Sequence, residues 1–180
     1  NSKFGVGVVT KYPIVKTSVV MLYEAPPVTL SQFRNPAHWP YVSRQLLDVG
    51  CDIGGQVIHA MSWHGAWTAP PTDTEQTVKQ AMRVADYLKS LNEPFILGAD
   101  TNNIPQSDTI DIIEAVSVNL MKDAKVAQTT HPKIHKIVPR GFLVDYIFVS
   151  KHFRLKFLDV PLVTISDHLP VVAELVLSND

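Results

Sequence analysis

Polar residues stand at the ends of three apolar segments in the second half of the chain. Asp100 and Asn102 follow the first segment, Asp145 begins the second, and Asp167 and His168 precede the third. Short apolar segments of this kind are typical of buried strands. We expect their ends to meet at one edge of a sheet. Carboxylates, an amide and an imidazole gathered there are the groups that a divalent metal ion and a phosphoester require.

The spacing of two between Asp100 and Asn102 places both side chains on the same side of an extended segment. Asp100 could ligate a hard cation or hold an attacking water, and Asn102 could donate to a phosphate oxygen. Asp and Asn also favour turns and helix caps, because their side chains hydrogen-bond nearby backbone groups. The pair therefore has both a catalytic and a structural interpretation.

Asp145 and His168 form a second candidate pair. A buried carboxylate at the start of an apolar strand needs a partner, and an Asp that accepts a hydrogen bond from an imidazole fixes its tautomer and raises its basicity. His64 follows the strand-like residues 56–63 and could donate a proton to a leaving alkoxide at the same edge. The structural alternatives are a packed histidine for His168 and a solvated loop residue for His64.

The other histidines are predicted to lie outside the site. His59 is expected to pack inside a strand, and the remaining four to lie at the surface: His38, His131, His135 and His152. A zinc site is disfavoured, because the chain has a single Cys and no compact ligand spacing.

Composition describes one globular domain. The chain has 180 residues, of which 46% are hydrophobic, enough for a single core over residues 1–180. No apolar run is long enough to span a membrane. The net charge of −1 disfavours tight binding of duplex DNA, which normally needs a basic face. The lone Cys51 fits a reducing compartment and so favours the cytoplasm.

The order of predicted elements is rich in strands, with two helices between them. Apolar spacing predicts a long helix over residues 72–91, with Thr72 and Glu75 as its capping box, and a second helix from Ser107 to about residue 118. Residues 25–41 contain four prolines and read as an irregular loop. Strands are predicted at residues 4–12, 14–24, 45–49, 56–63, 94–99, 143–150, 154–160 and 170–177. This order predicts an α/β sandwich of two packed sheets with helices outside.

Five motifs occur in an order that resembles the endonuclease/exonuclease/phosphatase superfamily. They are a Gly-Val-Gly segment at residues 5–13, Ser-Trp-His at 62–64, Gly-Ala-Asp-Thr-Asn at 98–102, Val-Asp-Tyr-Ile-Phe-Val-Ser at 144–150 and Ser-Asp-His-Leu-Pro at 166–170. The resemblance covers nearly the whole chain. It implies two packed mixed sheets flanked by helices, a four-layer α/β/β/α sandwich that hydrolyses phosphoesters with Mg²⁺ or Mn²⁺.

The resemblance also implies a role for each candidate residue. In this interpretation His168 is the general base or contacts phosphate, and Asp145 orients it. Asp167 is a metal ligand, and Asp100 positions or activates water. Asn102 binds phosphate, and His64 acts on the leaving group.

The chain departs from the family pattern in three ways. Ser62 stands where an Asn is common, and Thr101 where an aromatic residue is usual. The family also has two strands before the Gly-rich segment, and these bring an Asn and the principal metal-binding Glu. We therefore expect this chain to be the C-terminal two-thirds of the domain. We expect the surface left open to be covered by a homodimer or by a companion N-terminal segment.

Two functions from different classes follow from these observations. The first is a metal-dependent phosphoesterase acting on a phosphodiester or phosphomonoester; the second is a noncatalytic binding or scaffold module on the same fold. Nucleic acid, a phospholipid head group and inositol phosphate are all candidate substrates. The three tryptophans belong either to the core or to a substrate cleft, and residues 25–41 with the Trp67 region are candidate specificity elements.

Overall fold

A computed structural model describes residues 5–135 and 141–178 of the chain. Its strands are β1 Ile14–Tyr23, β2 Arg44–Ile53, β3 Gln56–His64, β4 Phe95–Asp100, β5 Val118–Asn119, β6 Asp145–Val149, β7 Phe153–Asp159 and β8 Val172–Leu177. Its α-helices are α1 Leu30–Phe33, α2 Glu75–Lys89, α3 Asp108–Glu114 and α4 Leu120–Asp123, and a 3-10 helix spans Pro36–Tyr41.

The strands form one large and one small sheet. The six-stranded sheet has the order β1-β2-β3-β4-β6-β5, and β7 pairs with β8 in a separate antiparallel sheet. Among the strands that the structure describes, only β3 and β4 are parallel neighbours, so the large sheet is mixed. The connection between these two strands contains α2, as a crossover between parallel strands requires. The predicted α/β sandwich class is confirmed.

A single cluster of buried side chains joins helices and sheets. The buried face of α2 repeats at helical spacing through Ala81, Val84, Ala85 and Leu88. It shares this core with the strand residues Trp63, Leu97 and Phe148. Leu158 of β7, with Val160 and Val171, packs against the same core. The small sheet is therefore tied to the large one through apolar contacts.

Helix α2 begins later than its sequence suggests. The cap is Thr74, whose side chain accepts from the Thr77 backbone N–H, while the Thr77 side chain accepts from Thr74. The predicted pair Thr72 and Glu75 is therefore wrong by two residues. A Thr at each of positions 72, 74 and 77 offers alternative registers, and packing selects one. Helix α3 is capped by Ser107, as predicted.

Two other predictions on the N-terminal side are wrong. Residues 5–12 form no strand, and Phe4 lies outside the described residues. Gly5 and Gly7 weaken a strand, and no neighbouring strand in the described part of the chain pairs with this segment. Residues 25–41 are not wholly irregular, because they contain α1 and the 3-10 helix.

The edge strand β1 presents apolar side chains to solvent. Ile14, Val15 and Val19 are each more than half exposed. An exposed apolar edge favours contact with another chain or segment. The homodimer or companion segment expected from the sequence stays a prediction. Within the described ranges, no helix combines the length and the apolar character needed to cross a membrane.

Candidate active site

Strand register brings three candidate residues into one row. His64 at the end of β3 lies opposite Asp100 at the end of β4, and Asp100 lies opposite Asp145 at the start of β6. The Nε2 atom of His64 is 3.6 Å from Oδ2 of Asp100. The convergence arises because parallel β3 and β4 end at the edge where antiparallel β6 begins.

His168 completes this row through Asp145. Its Nδ1 lies 2.8 Å from one carboxylate oxygen of Asp145 and 3.1 Å from the other. A proton on Nδ1 can be donated to Asp145, which leaves Nε2 for other contacts. The side chains are 28% and 18% exposed, respectively, so the pair is partly shielded from water. The structure thus contains the predicted contact, while the catalytic roles stay a prediction.

Residues 129–131 hold the His168 segment against β6. Thr130 forms an isolated antiparallel bridge with His168, and the Leu169 N–H donates to the Thr129 carbonyl at 2.6 Å. The hydroxyl of Thr129 accepts from the backbone N–H groups of Val144 and Asp145. One threonine therefore positions both halves of the Asp145–His168 pair. Nothing in the sequence analysis pointed to this segment.

Backbone contacts also fix the loops after β3 and β4. The Gly65 N–H donates to the Asp100 carbonyl at 2.7 Å, and a Cβ at this glycine would lie 2.6 Å from the Thr101 oxygen. Asn102 adopts a positive φ of 54° and donates its N–H to Oδ1 of Asp100. A left-handed Asn at this position is typical of both turns and functional sites. The local hydrogen bond supports the structural interpretation of the Asp100–Asn102 pair, and the catalytic interpretation stays a prediction.

These residues border a cavity of about 250 Å³. His64, Asp100, Asn102, Asp167 and His168 all line it, and Asp167 is exposed at its rim. The opposite wall is apolar and consists of Phe33, Trp39, Val42 and Trp67. Trp39 and Trp67 meet edge to face, with ring centroids 5.2 Å apart. Trp63, by contrast, is a core residue only 2% exposed. Two of the three tryptophans, Trp39 and Trp67, therefore line the cavity.

Two polar residues of the cavity were not predicted. Arg44, at the start of β2, lines the cavity although it is 5% exposed. In the sequence, Arg44 is a charged residue at the start of an apolar strand, as Asp145 is, and this position could have indicated it. His135, predicted at the surface, lines the cavity, and its ring centroid is 5.4 Å from that of His168. His131 is also wrongly predicted, because it is 1% exposed and its Nδ1 accepts from the Lys133 and Ile134 N–H groups.

The charges around the cavity shift its histidines in opposite directions. Burial, with the charges of Arg44 and His168, lowers the pKa of His64 to about 4. Burial alone would lower the pKa of His168, but the hydrogen bond and charge of Asp145, with the charges of Asp100 and Asp167, raise it to about 9. Burial, reinforced by the charge of Asp145, raises the pKa of Asp100. At neutral pH one imidazole is therefore neutral and the other protonated.

The difference between the pKa values of His64 and His168 predicts two well-separated titrations. In metal-free protein, His64 should stay neutral down to about pH 5, and His168 should stay protonated up to about pH 8, because the two pKa values lie near 4 and near 9. NMR titration of the imidazole carbons, assigned with His64→Gln and His168→Gln variants, measures both. Titration of both rings near the ordinary value of 6.5 would contradict the prediction.

Three of the site residues could hold a divalent cation. Asp100, Asp145 and His168 each place one potential ligand atom within 4.8 Å of the others. Two carboxylates and an imidazole suit Mn²⁺, and the carboxylates also suit Mg²⁺. Asp167, which we predicted as the metal ligand, borders the same cavity but does not belong to this group. The donor set at the site thus fits a divalent cation.

Comparison with protein families identifies the class of this chain. The sequence model of the Endonuclease/Exonuclease/phosphatase family matches residues 1–168. The chain therefore belongs to this family, and the resemblance drawn from its motifs is confirmed. A comparison with curated protein sequences gave no match.

Solved structures share the fold over most of the chain. A mannosyl-6-phosphatase from Bacteroides thetaiotaomicron aligns with a TM-score of 0.69 and 22% identity, over 92% of this chain and 67% of that protein. The catalytic domain of human Nocturnin with bound sulfate aligns with a TM-score of 0.64 and 16% identity, over 93% of this chain and 60% of that one. TDP2 from D. rerio, complexed with single-strand DNA product, aligns with a TM-score of 0.67 and 15% identity, over 90% of this chain and 67% of that protein. The chain thus spans three-fifths to two-thirds of these proteins.

Proposed function

We propose that this domain is a metal-dependent phosphoesterase. The observation that carries the proposal is the row of His64, Asp100 and Asp145 across three adjacent strands, completed by the hydrogen bond between Asp145 and His168. Family membership supports a phosphoesterase in general. The row of side chains supports hydrolysis by an activated water, because side chains that could act as a base, a proton donor and an anion-binding group border one cavity.

A divalent cation, Mg²⁺ or Mn²⁺, when bound, would offset charge on the phosphoryl oxygens. Asp145, with Asp167 at the rim as a further ligand, is proposed to hold it, which leaves Asp100 free to act as the base. One solved relative is named a mannosyl-6-phosphatase, and another is complexed with a single-strand DNA product, so neither a small phosphate ester nor a nucleic acid strand is favoured by these names alone. The proposal therefore covers both ester types.

The protons move between the chain's own side chains. Asp100 takes a proton from the attacking water, since its raised pKa makes it a better base than an ordinary carboxylate. The new P–O bond forms as the ester P–O bond breaks. His64 then passes a proton from Asp100, 3.6 Å away, to the leaving oxygen. His168, held by Asp145 and protonated at neutral pH, contacts a phosphoryl oxygen, and Asn102 donates its amide to another.

Chromogenic esters test this function directly. The protein should release nitrophenolate from p-nitrophenyl phosphate or from bis-p-nitrophenyl phosphate when Mg²⁺ or Mn²⁺ is present, and EDTA should abolish the release. His152→Ala serves as the control for a histidine outside the site and should hydrolyse the esters at the wild-type rate. His152 contacts Ser150 and does not line the cavity. Hydrolysis that EDTA leaves unchanged would contradict metal dependence. No hydrolysis of either ester would favour the scaffold function instead.

A further inference from the structure

Arg44 is a buried cation with few partners. The residue is 5% exposed, and Nη2 donates to the Trp39 carbonyl at 3.1 Å. Its Nε and Nη1 atoms are buried without a hydrogen-bond partner, and no carboxylate of the described residues forms an ion pair with it. A buried guanidinium with unused donors is costly unless an anion comes to it. Its environment therefore indicates a bound anion.

The position of Arg44 indicates which anion this is. Arg44 lines the same cavity as Asp100 and His168. Its charge acts on both His64 and Asp100, which places it within electrostatic range of the proposed reacting groups. Burial lowers the pKa of Arg44 only to about 10, so the side chain stays charged at neutral pH. An anion held there would face the base and the protonated histidine together.

We propose that the Arg44 guanidinium, which borders the cavity, binds the phosphoryl group of the substrate, and that the substrate is a small organic phosphate ester. The inference rests on the proposed function and adds a specificity residue to it. Guanidinium groups suit phosphate because several fixed N–H donors meet its oxygens at once. The Trp39 carbonyl accepts a hydrogen bond from Arg44 and so positions its guanidinium. The Trp39 side chain forms part of the apolar wall of the same cavity.

The cavity wall defines the rest of the substrate. Phe33, Trp39 and Trp67 offer flat apolar surfaces, and the Trp39 indole N–H donates to the Phe33 carbonyl at 2.6 Å, which fixes the ring. Such a wall suits the apolar face of a sugar or an aromatic ring. A volume of about 250 Å³ is enough for a phosphate with one such group.

Phosphate binding tests the inference without requiring turnover. Titration calorimetry with inorganic phosphate, in EDTA, should give a Kd at least about tenfold weaker for Arg44→Met than for the wild type. Arg44→Lys should fall between them, because it keeps the charge but loses the fixed donors. Phosphate should also raise the Tm of the wild type more than that of Arg44→Met. Arg154→Met on β7 is the matched control, since Arg154 is exposed and outside the cavity.

The outcomes separate this inference from the proposed function. Unchanged phosphate affinity in folded Arg44→Met or Arg44→Lys would overturn the inference, even if both esters are hydrolysed. Phosphate binding that depends on Arg44, in a protein that hydrolyses neither ester, would support the anion site and count against the phosphoesterase. The KM for p-nitrophenyl phosphate should rise in Trp39→Ala, because this change removes part of the apolar wall that the phenyl ring would contact. An unchanged KM would overturn the assignment of a small ester with an apolar face.

Discussion

Replacing Asp100 with asparagine should lower kcat for a generic phosphodiester by about 10²-fold or more in the full-length protein at saturating Mg²⁺. Asparagine keeps the shape of the side chain but cannot take a proton from water. His168→Ala should cause a loss of the same order, because it removes the imidazole that Asp145 orients at 2.8 Å. Steady-state kinetics with bis-p-nitrophenyl phosphate measures both effects.

Folding should survive both changes, since Asp100 and His168 lie at the rim of a cavity and not in the apolar core. Circular dichroism and the Tm check this. Asp86→Asn serves as the control, because Asp86 is exposed on α2 and far from the cavity lining. If kcat were unchanged in either site variant while the wild type is active, that residue would have no part in the mechanism.

A second large effect is expected away from the cavity, at a buried polar cluster. Asp48 of β2 is 1% exposed and accepts from His59 Nδ1 at 2.7 Å and from the Tyr87 hydroxyl at 2.7 Å. His59 is also 1% exposed. Asp48→Ala would leave the buried His59 Nδ1 without its acceptor and would remove one hydrogen-bond partner of the Tyr87 hydroxyl. We expect it to lower the free energy of unfolding by about 3 kcal/mol or more.

Urea denaturation followed by circular dichroism measures this loss. Asp86→Ala is the matched control and should change the free energy of unfolding by less than about 0.5 kcal/mol, as usual for exposed positions. Asp48→Asn should be milder than Asp48→Ala, because its amide oxygen can still accept a hydrogen bond. A loss in Asp48→Ala no larger than that of the control would show that the cluster does not stabilise the fold.

The parts of the site that the sequence predicts are those fixed by strand ends. His64, Asp100 and Asp145 each adjoin an apolar segment, so their meeting at one sheet edge follows from local pattern and sheet geometry. The helix α2 was predictable for a similar reason, since its apolar spacing is regular. The metal role of Asp167 and the catalytic roles remain predictions from the family resemblance.

The parts that the sequence does not predict depend on contacts between distant segments. Arg44, at the start of β2, reaches the cavity because residues 25–42 offer it the Trp39 carbonyl. Thr129 joins Val144 to Leu169 through hydrogen bonds that leave no periodic pattern. Residues 5–12 looked like a strand locally, but pairing needs a neighbour. Such features arise from tertiary structure, which single-sequence patterns do not record.

The proposed chemistry and the proposed choice of substrate lie on different parts of this fold. The side chains proposed to react belong to the ends of β3, β4 and β6, whereas Phe33 and Trp39 belong to the short helices between β1 and β2. Substitutions in these helices can therefore reshape the apolar wall while the strand register stays intact. A laboratory library confined to residues 25–42 would explore new substrates at little risk to the reaction itself. Arg44, which donates a hydrogen bond to the Trp39 carbonyl, joins the two parts.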